Sequence, residues 1–190
     1  MKTIILLLLS VCSLGMQAQE FSVKPVLGGN LSTLTGGKGN GKTEVGLAVG
    51  LEGECRFNPE FSLSAAVLYS QEGCSDDESG NIEIYSPNGH AARLGRMNLV
   101  KLPVLANIRL VKALHLQAGL ESAYVTKLER SSTGFGKPDY KHFIVGLPVG
   151  LRLSLKRADI CLRYTYGLME VCQDNHSSTF SLLLGIPLGK

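Results

Sequence analysis

The chain has 190 residues, of which 44% are hydrophobic and 18% are charged, so it holds enough apolar side chain for a folded domain and is not wholly disordered. Its 22 glycines follow no period of three, which excludes a collagen. The 19 basic and 16 acidic residues give a formal net charge of +3, and this near balance gives no indication of the concentrated basic surface that nucleic-acid binding needs.

Residues 1–18 have the layout of a secretory signal peptide. Lys2 gives a positive start, an apolar run follows from Ile4 to Gly15, and Ala18 is a small residue at the expected cleavage position. The apolar run is too short to span a bilayer. We therefore expect export through the Sec pathway, and we divide the chain into a signal peptide, 1–18, and one domain, 19–190.

Beyond the signal, the dominant pattern is an alternation of apolar and polar residues with a period of two, which is typical of β-strands. It is clearest from Val45 to Glu52 and from Leu114 to Glu121. The pattern predicts eight strands, at about residues 21–33, 44–57, 61–72, 96–110, 114–127, 141–155, 158–170 and 178–188. No apolar stretch of this domain is long enough for a membrane helix, so the domain is either soluble after export or a membrane barrel.

The connections between these strands are expected to alternate in length. Short turns fall at 58–60, 111–113 and 156–157, and long polar connections fall at 34–43, 73–95, 128–140 and 171–177. Short periplasmic turns and longer external loops are typical of outer-membrane barrels. The sequence therefore predicts an all-β fold, an eight-stranded antiparallel up-and-down transmembrane β-barrel.

Aromatic residues fall at both ends of the predicted strands. Two flank a short turn, Phe57 and Phe61. Five lie where strands meet long connections: Tyr69, Tyr124, Phe143, Tyr166 and Phe180. Two aromatic girdles around an apolar band are expected at the two membrane interfaces, although strands are enriched in aromatic residues in general.

Four prolines lie inside predicted strands: Pro25, Pro103, Pro148 and Pro187. Proline has no N–H to donate to a neighbouring strand, and a closed barrel has no free edge. We expect each of these prolines to mark a bulge or a place where a ladder hydrogen bond is lost.

Residues 98–107, Asn-Leu-Val-Lys-Leu-Pro-Val-Leu-Ala-Asn, resemble the central strand motif of the small outer-membrane β-barrel family, often labelled porin-like, that is common in Bacteroidota. Residues 116–120 resemble the strand that follows in that family, and residues 145–151 and 163–168 resemble its last hairpin. The chain departs from the family by ending Leu-Gly-Lys rather than on an aromatic residue. The resemblance implies an eight-stranded barrel in the outer membrane of a Gram-negative bacterium, with no assigned activity for most members.

If the large apolar side chains face lipid, a mixed polar set faces the barrel interior. It comprises Lys24, Asn30, Glu52, Glu54, Lys101, Asn107, Arg109, His115, Gln117, Glu121, Arg152 and Arg163. An eight-stranded barrel is just wide enough for its own side chains to fill, so we expect these residues to form a polar network that plugs the lumen. A narrow porin-like channel lined by the same residues is one alternative. A soluble periplasmic barrel that binds a small apolar ligand, with the apolar face inward, is another.

No catalytic, metal or cofactor site is predicted. His115 and Glu121 are about 20 Å apart along one strand face, too far to act together, and the four histidines show no ligand spacing. Cys74 and Cys172 lie just beyond strands at the long-loop end, where an oxidising compartment permits a disulfide.

We therefore expect a structural or surface-interaction protein rather than an enzyme. Its expected partners are the bilayer and the outer-membrane lipids, together with an extracellular ligand or protein at loops 73–95 and 128–140. No nucleic acid is expected among them.

Overall fold

The computed structural model describes residues 20–35, 42–72, 74–75, 84–85, 91–92, 97–128, 142–172 and 175–188. Eight long strands make up most of this part of the chain. They are β1 Glu20–Thr35, β2 Lys42–Arg56, β3 Phe61–Glu72, β4 Met97–Arg109, β5 Leu114–Leu128, β6 Phe143–Ser154, β7 Asp159–Cys172 and β8 Asn175–Gly185. Over the described ranges, no helix is long and apolar enough to cross a membrane.

The eight strands form a closed barrel. Each strand pairs antiparallel with the next along the chain, and β8 returns to pair with β1 through partners such as Leu27 and Leu184. Because the first and last strands are joined, the sheet has no free edge, as a bilayer requires of its spanning strands. The predicted fold, an eight-stranded antiparallel up-and-down barrel, is confirmed.

The connections differ from the prediction at one place. The three short turns lie at one end of the barrel, which we call the turn end, and the opposite end is the loop end. The long connection predicted at 171–177 is wrong, because β7 continues to Cys172 and β8 begins at Asn175. The polar composition of this segment resembles a loop, yet its main chain continues the ladder across register shifts, with Glu170 opposite His176.

The two faces of the barrel wall differ sharply in polarity. Large apolar side chains point outward and are exposed, with Leu120 exposing 57% of its surface and Leu47 62%. Polar and charged side chains point inward and are buried, with Arg152 exposing 1% and Gln117 0%. This arrangement is the reverse of a soluble ligand-binding barrel, whose apolar face lies inside.

Two prolines interrupt ladders without shifting the register. The β3–β4 ladder has a gap beside Pro103, between the pairs made by Ala65 and Leu68, and the same register resumes beyond it. The β5–β6 ladder has a similar gap beside Pro148. Both positions are therefore places of lost ladder bonds rather than bulges, because no extra residue is inserted.

The other two prolines lie near the ends of the β1–β8 ladder. Pro25 lies one residue before the first paired residue, Val26, although it remains opposite Leu51 of β2. The prediction that places Pro187 inside a strand is wrong, because β8 ends at Gly185. Single hydrogen bonds continue the seam beyond that point, including one from Leu188 N to Val23 O at 3.0 Å.

Inward-facing glycines let neighbouring strands approach closely. A Cβ on Gly119 would overlap the main-chain carbonyl oxygen of Val104 on β4, and a Cβ on Gly50 would overlap that of Val67 on β3. Only glycine fits such an approach, so these residues permit the tight curvature of a small barrel.

Candidate functional site

The lumen is crossed by a pair of ionic contacts that join opposite walls. Arg152 on β6 directs its Nη2 to Glu52 Oε1 at 2.5 Å and its Nη1 to Glu54 Oε2 at 3.0 Å. Glu52 and Glu54 are two residues apart on β2, so both side chains face inward from the strand opposite β6. A single guanidinium therefore holds two carboxylates across the diameter of the barrel.

Three further charges complete this group at the turn end. Lys24 Nζ on β1 contacts Glu54 Oε2 and Asp159 Oδ2, and so links β2 to β7. Arg163 Nη2 lies 4.0 Å from Glu52 Oε2. We call the group the turn-side network; its three cations and three anions are Lys24, Arg152, Arg163, Glu52, Glu54 and Asp159. The balance of charge meets the condition for burial, since a buried unpaired charge is costly.

A second group, the loop-side network, consists of Lys101, Glu72 and Glu121. Lys101 Nζ on β4 contacts Glu72 and lies 2.9 Å from Glu121 Oε1. Glu72 also accepts hydrogen bonds from Ser70 Oγ at 2.9 Å and from Thr179 Oγ1 at 3.0 Å. Each carboxylate is thereby held in place by the lysine, and Glu72 in addition by two hydroxyl groups.

Neutral amides lie beside the two networks. The side-chain amide of Gln117 on β5 lies 2.6 Å from Asn107 Oδ1 and 2.9 Å from Arg152 Nη2. Asn107 Nδ2 donates to Ser64 Oγ at 3.1 Å. The interior of the barrel is therefore held together by polar side chains along much of its length.

Little space is left between these side chains. One cavity of about 20 Å³ lies beside Lys101 and Glu121, and another of about 10 Å³ lies beside Asn30 and Arg163. A cavity of roughly 10–15 Å³ holds one water molecule. A larger hollow of about 840 Å³ opens at the turn end, with Lys24 among its lining residues. The described lumen is thus closely packed around Lys101 and Arg163, and it is open at the turn end.

Aromatic side chains lie at both ends of the barrel wall. At the turn end, Phe57 stacks on Phe61 with ring centroids 5.8 Å apart. At the loop end, Tyr124 stacks on His142 at 6.0 Å and Tyr166 stacks on His176 at 5.6 Å. The outward apolar surface therefore has aromatic residues at both of its ends, as is typical of a barrel that spans a bilayer.

Residues 17–173 match the family model described as an outer membrane protein beta-barrel domain. The chain belongs to this outer-membrane β-barrel family. Together with the apolar outer face, this membership places the protein in the outer membrane, with its wall in contact with lipid. No curated protein matches the chain.

Solved structures share the fold of this outer-membrane barrel. The crystal structure of Ail, the attachment invasion locus protein of Yersinia pestis, has a TM-score of 0.53 at 12% identity and covers 89% of this chain and 99% of that chain. The structure of Ail in a phospholipid bilayer nanodisc has a TM-score of 0.52 at 17% identity, with 89% and 100% covered. Neisserial surface protein A has a TM-score of 0.49 at 14% identity, with 90% and 99% covered. At these identities the likeness to Ail shows the fold alone.

The outer-membrane barrel divides the ionisable residues of the predicted lumen set among three places. The turn-side network contains five of them, namely Lys24, Glu52, Glu54, Arg152 and Arg163. The loop-side network contains two, Lys101 and Glu121. The remaining two, Arg109 and His115, are opposite each other on β4 and β5 near the turn end, and within the described chain Arg109 Nε and His115 Nδ1 are buried with no hydrogen-bond partner.

Two members of the networks are absent from the predicted lumen set, Glu72 and Asp159. Asp159 precedes the inward residue Cys161 by two positions, and Glu72 follows the inward residue Ser70 by two. The alternation with a period of two therefore predicts an inward side chain for both residues. This prediction is easy to miss because each residue is the first or the last of its strand.

The structure describes the side chains of two of the four cysteines that follow the signal peptide. Cys161 is buried in the lumen and forms no disulfide with Cys55. The side chains of Cys74 and Cys172 lie outside the described residues, so their disulfide stays a prediction. The signal peptide at 1–18 lies outside them as well and also stays a prediction.

Proposed function

We propose that this barrel is a non-catalytic anchor that presents residues 73–95 and 128–140 to an extracellular ligand or protein, and that it is not a channel. The observation that carries the proposal is the filled lumen, crossed by Arg152, beneath the two longest connections. These connections leave the barrel at the same end, since β3 ends at Glu72 and β5 at Leu128. We further propose that residues 1–18 direct Sec export in a Gram-negative bacterium. The motif at 98–107 supports a place among the porin-like barrels of Bacteroidota.

The turn-side network is an obstacle to ion passage. An ion moving along the axis has to displace Arg152 from Glu52 or Glu54, and breaking a buried ion pair typically costs several kcal/mol. The two cavities beside Lys101 have volumes of only about 20 and 10 Å³, which is room for single water molecules rather than for a hydrated ion. The lumen residues therefore support the wall rather than transport.

The same contacts argue against acid–base catalysis in the lumen. Glu121 is held by Lys101 at 2.9 Å. His115 lies near the turn end of β5, well separated from Glu121 along the strand. Within the described ranges, no three His, Cys, Asp or Glu side chains are grouped as metal ligands. Glu121 and His115, the two residues considered for acid–base chemistry, are thus not brought together in the described interior.

We predict that the purified barrel gives no steady conductance in a planar lipid bilayer. The physical reason is that the ion pairs of Arg152 with Glu52 and Glu54 cross the lumen and block the path of an ion. The measurement is single-channel current recording, with a known porin as the positive control and boiled protein as the negative control. Long-lived unitary currents from the folded protein would contradict the proposal, most directly if Arg152→Ala abolished them.

We also predict that trypsin added to intact cells cuts after Arg93 and Arg130 but not after Lys112 or Lys156. The first two residues lie in the proposed external connections, whereas the last two lie in the short turns. Mass spectrometry of the fragments identifies the cut sites. Permeabilising the outer membrane should then expose Lys112 and Lys156, which serve as the control within the same chain. Cleavage at the turns of intact cells, with Arg93 and Arg130 protected, overturns the proposed display.

A further inference from the structure

The charges around the turn end of the barrel are unevenly distributed. On the arc formed by β1, β2 and β3, the exposed residue Arg56 pairs with Glu20 at 2.9 Å, and the exposed acid Glu60 lies in the β2–β3 turn. That arc carries two acids for one base. Its single exposed arginine is already neutralised by a neighbour within the protein.

The arc formed by β4, β5, β6 and β7 carries only positive charge in its turns. Lys112 lies in the β4–β5 turn, and Lys156 and Arg157 lie in the β6–β7 turn. All three side chains are exposed, neither turn contains an acidic residue, and none of the three forms an ion pair with a described residue. We call these three residues the basic rim.

The two turns of the basic rim are direct neighbours. Ser154 N, at the end of β6, donates to Ala113 O in the β4–β5 turn at 2.7 Å, and Leu114 pairs with Leu153. Neighbouring strands lie about 4.8 Å apart, so the centres of two turns separated by two strands lie roughly 10 Å apart. Lys112 therefore shares one patch of surface with Lys156 and Arg157.

Apolar side chains lie at the same level as these cations. Leu110 and Val111 in the first turn expose 52% and 61% of their surfaces, and Leu155 in the second exposes 49%. They continue the outward apolar rows of β4 and β6, which face lipid. The lipid-facing surface thus runs into the turns on this arc and ends in three cations that form no ion pair with a described residue.

We propose that the basic rim binds the phosphate groups of anionic phospholipids in the leaflet that faces the periplasm. An amphipathic surface of this kind matches a phospholipid, because its apolar part lies against acyl chains while Lys112 and Lys156 extend their ammonium groups to the headgroup level. Arg157 offers a planar guanidinium, which bonds phosphate through two N–H groups. The proposal rests on the periplasmic placement of the short turns in the proposed function, which the trypsin experiment tests separately.

The test compares the thermal stability of the barrel in two kinds of vesicle. One kind contains only zwitterionic phosphatidylcholine, and in the other part of it is replaced by phosphatidylglycerol. The measured quantity is the temperature at which half of the protein loses the fast-migrating folded band on an unboiled gel. We expect phosphatidylglycerol to raise this temperature for the wild-type barrel, and we expect the triple variant Lys112→Gln, Lys156→Gln, Arg157→Gln to lose most of the rise. Because each protein is compared with itself in two lipids, a general loss of stability in the variant cancels.

A matched pair of single variants tests the position of the effect. Lys156→Gln should reduce the rise in unfolding temperature. Arg56→Gln should leave it unchanged, because Arg56 lies at the same end of the barrel but is already paired with Glu20. Raising the salt concentration to 1 M, where the screening length falls to about 3 Å, should also remove the rise in the wild-type protein. The proposal is overturned if phosphatidylglycerol does not raise the unfolding temperature of the wild-type barrel, which is the result expected if the basic rim binds an acidic protein instead. It is also overturned if the triple variant keeps the full rise.

Discussion

Replacing Arg152 by methionine is expected to lower the free energy of unfolding by about 3–5 kcal/mol, because the change leaves two buried carboxylates without their main counter-ion. Arg152 exposes 1% of its surface and contacts both Glu52 and Glu54. Methionine keeps much of the length and apolar volume of the side chain, so the loss reports the charge. The measurement is a urea titration of the barrel in vesicles, followed by circular dichroism and by the folded band on unboiled gels.

Arg56→Met is the matched control for this prediction. Arg56 also pairs with a glutamate, Glu20, at 2.9 Å, but on the exposed rim, where such pairs contribute about 0–1 kcal/mol. Removing the partner charge as well, in the double variant Arg152→Met, Glu52→Gln, should recover part of the lost stability. Equal losses of unfolding free energy for Arg152→Met and Arg56→Met would contradict the role assigned to the buried ion pairs of Arg152.

Leu120→Arg is expected to destabilise the barrel in vesicles by about 2–4 kcal/mol, the cost of an arginine on the lipid face near the middle of a bilayer. Leu120 points outward from the central part of β5, opposite Val104 of β4. The measurement is the same urea titration in vesicles. On a water-exposed face the same substitution would be nearly neutral, since an added surface charge there buries nothing.

Val111→Arg is the depth control for Leu120→Arg. Val111 is as exposed as Leu120 but lies in the β4–β5 turn, at the membrane interface, where the cost falls to about 0–1 kcal/mol. The difference between the two variants therefore measures depth in the membrane. If both variants are tolerated equally, the outer face is not in contact with a bilayer core.

The sequence was sufficient to predict the wall of the barrel because the wall depends on local patterns. The alternation from Leu114 to Glu121 assigns each side chain to one of two faces, and the short turns at Val111 and Lys156 fix the antiparallel order. The gap beside Pro103 also follows from one residue, since proline has no N–H to donate.

The pairing of charges inside the barrel could not be predicted in the same way. Arg152 meets Glu52 and Glu54 across the diameter, between strands that are not neighbours in the sheet. Alternation shows that these residues share the interior but does not show their heights along the axis, which depend on the combined register of several ladders. For the same reason Asp159, at the end of β7, was not expected to face Lys24.

The first residues of β8 show a different limit. A polar stretch such as residues 175–178 has the composition of a loop, but its backbone donors and acceptors can pair as well as those of an apolar strand. Here the ladder of β7 continues through it to the pair of Cys172 and Asn175. The loop predicted at 171–177 is therefore wrong because the polarity of side chains does not determine the pairing of the main chain.

The contact of Lys24 with Asp159 joins residues 135 positions apart and crosses the seam where the first and last strands meet. In a sheet in which β8 and β1 were unpaired, Lys24 on β1 and Asp159 on β7 would lie near opposite margins and could not form this contact. The pairing of β8 with β1 therefore removes the exposed sheet edges and also brings these two charges together.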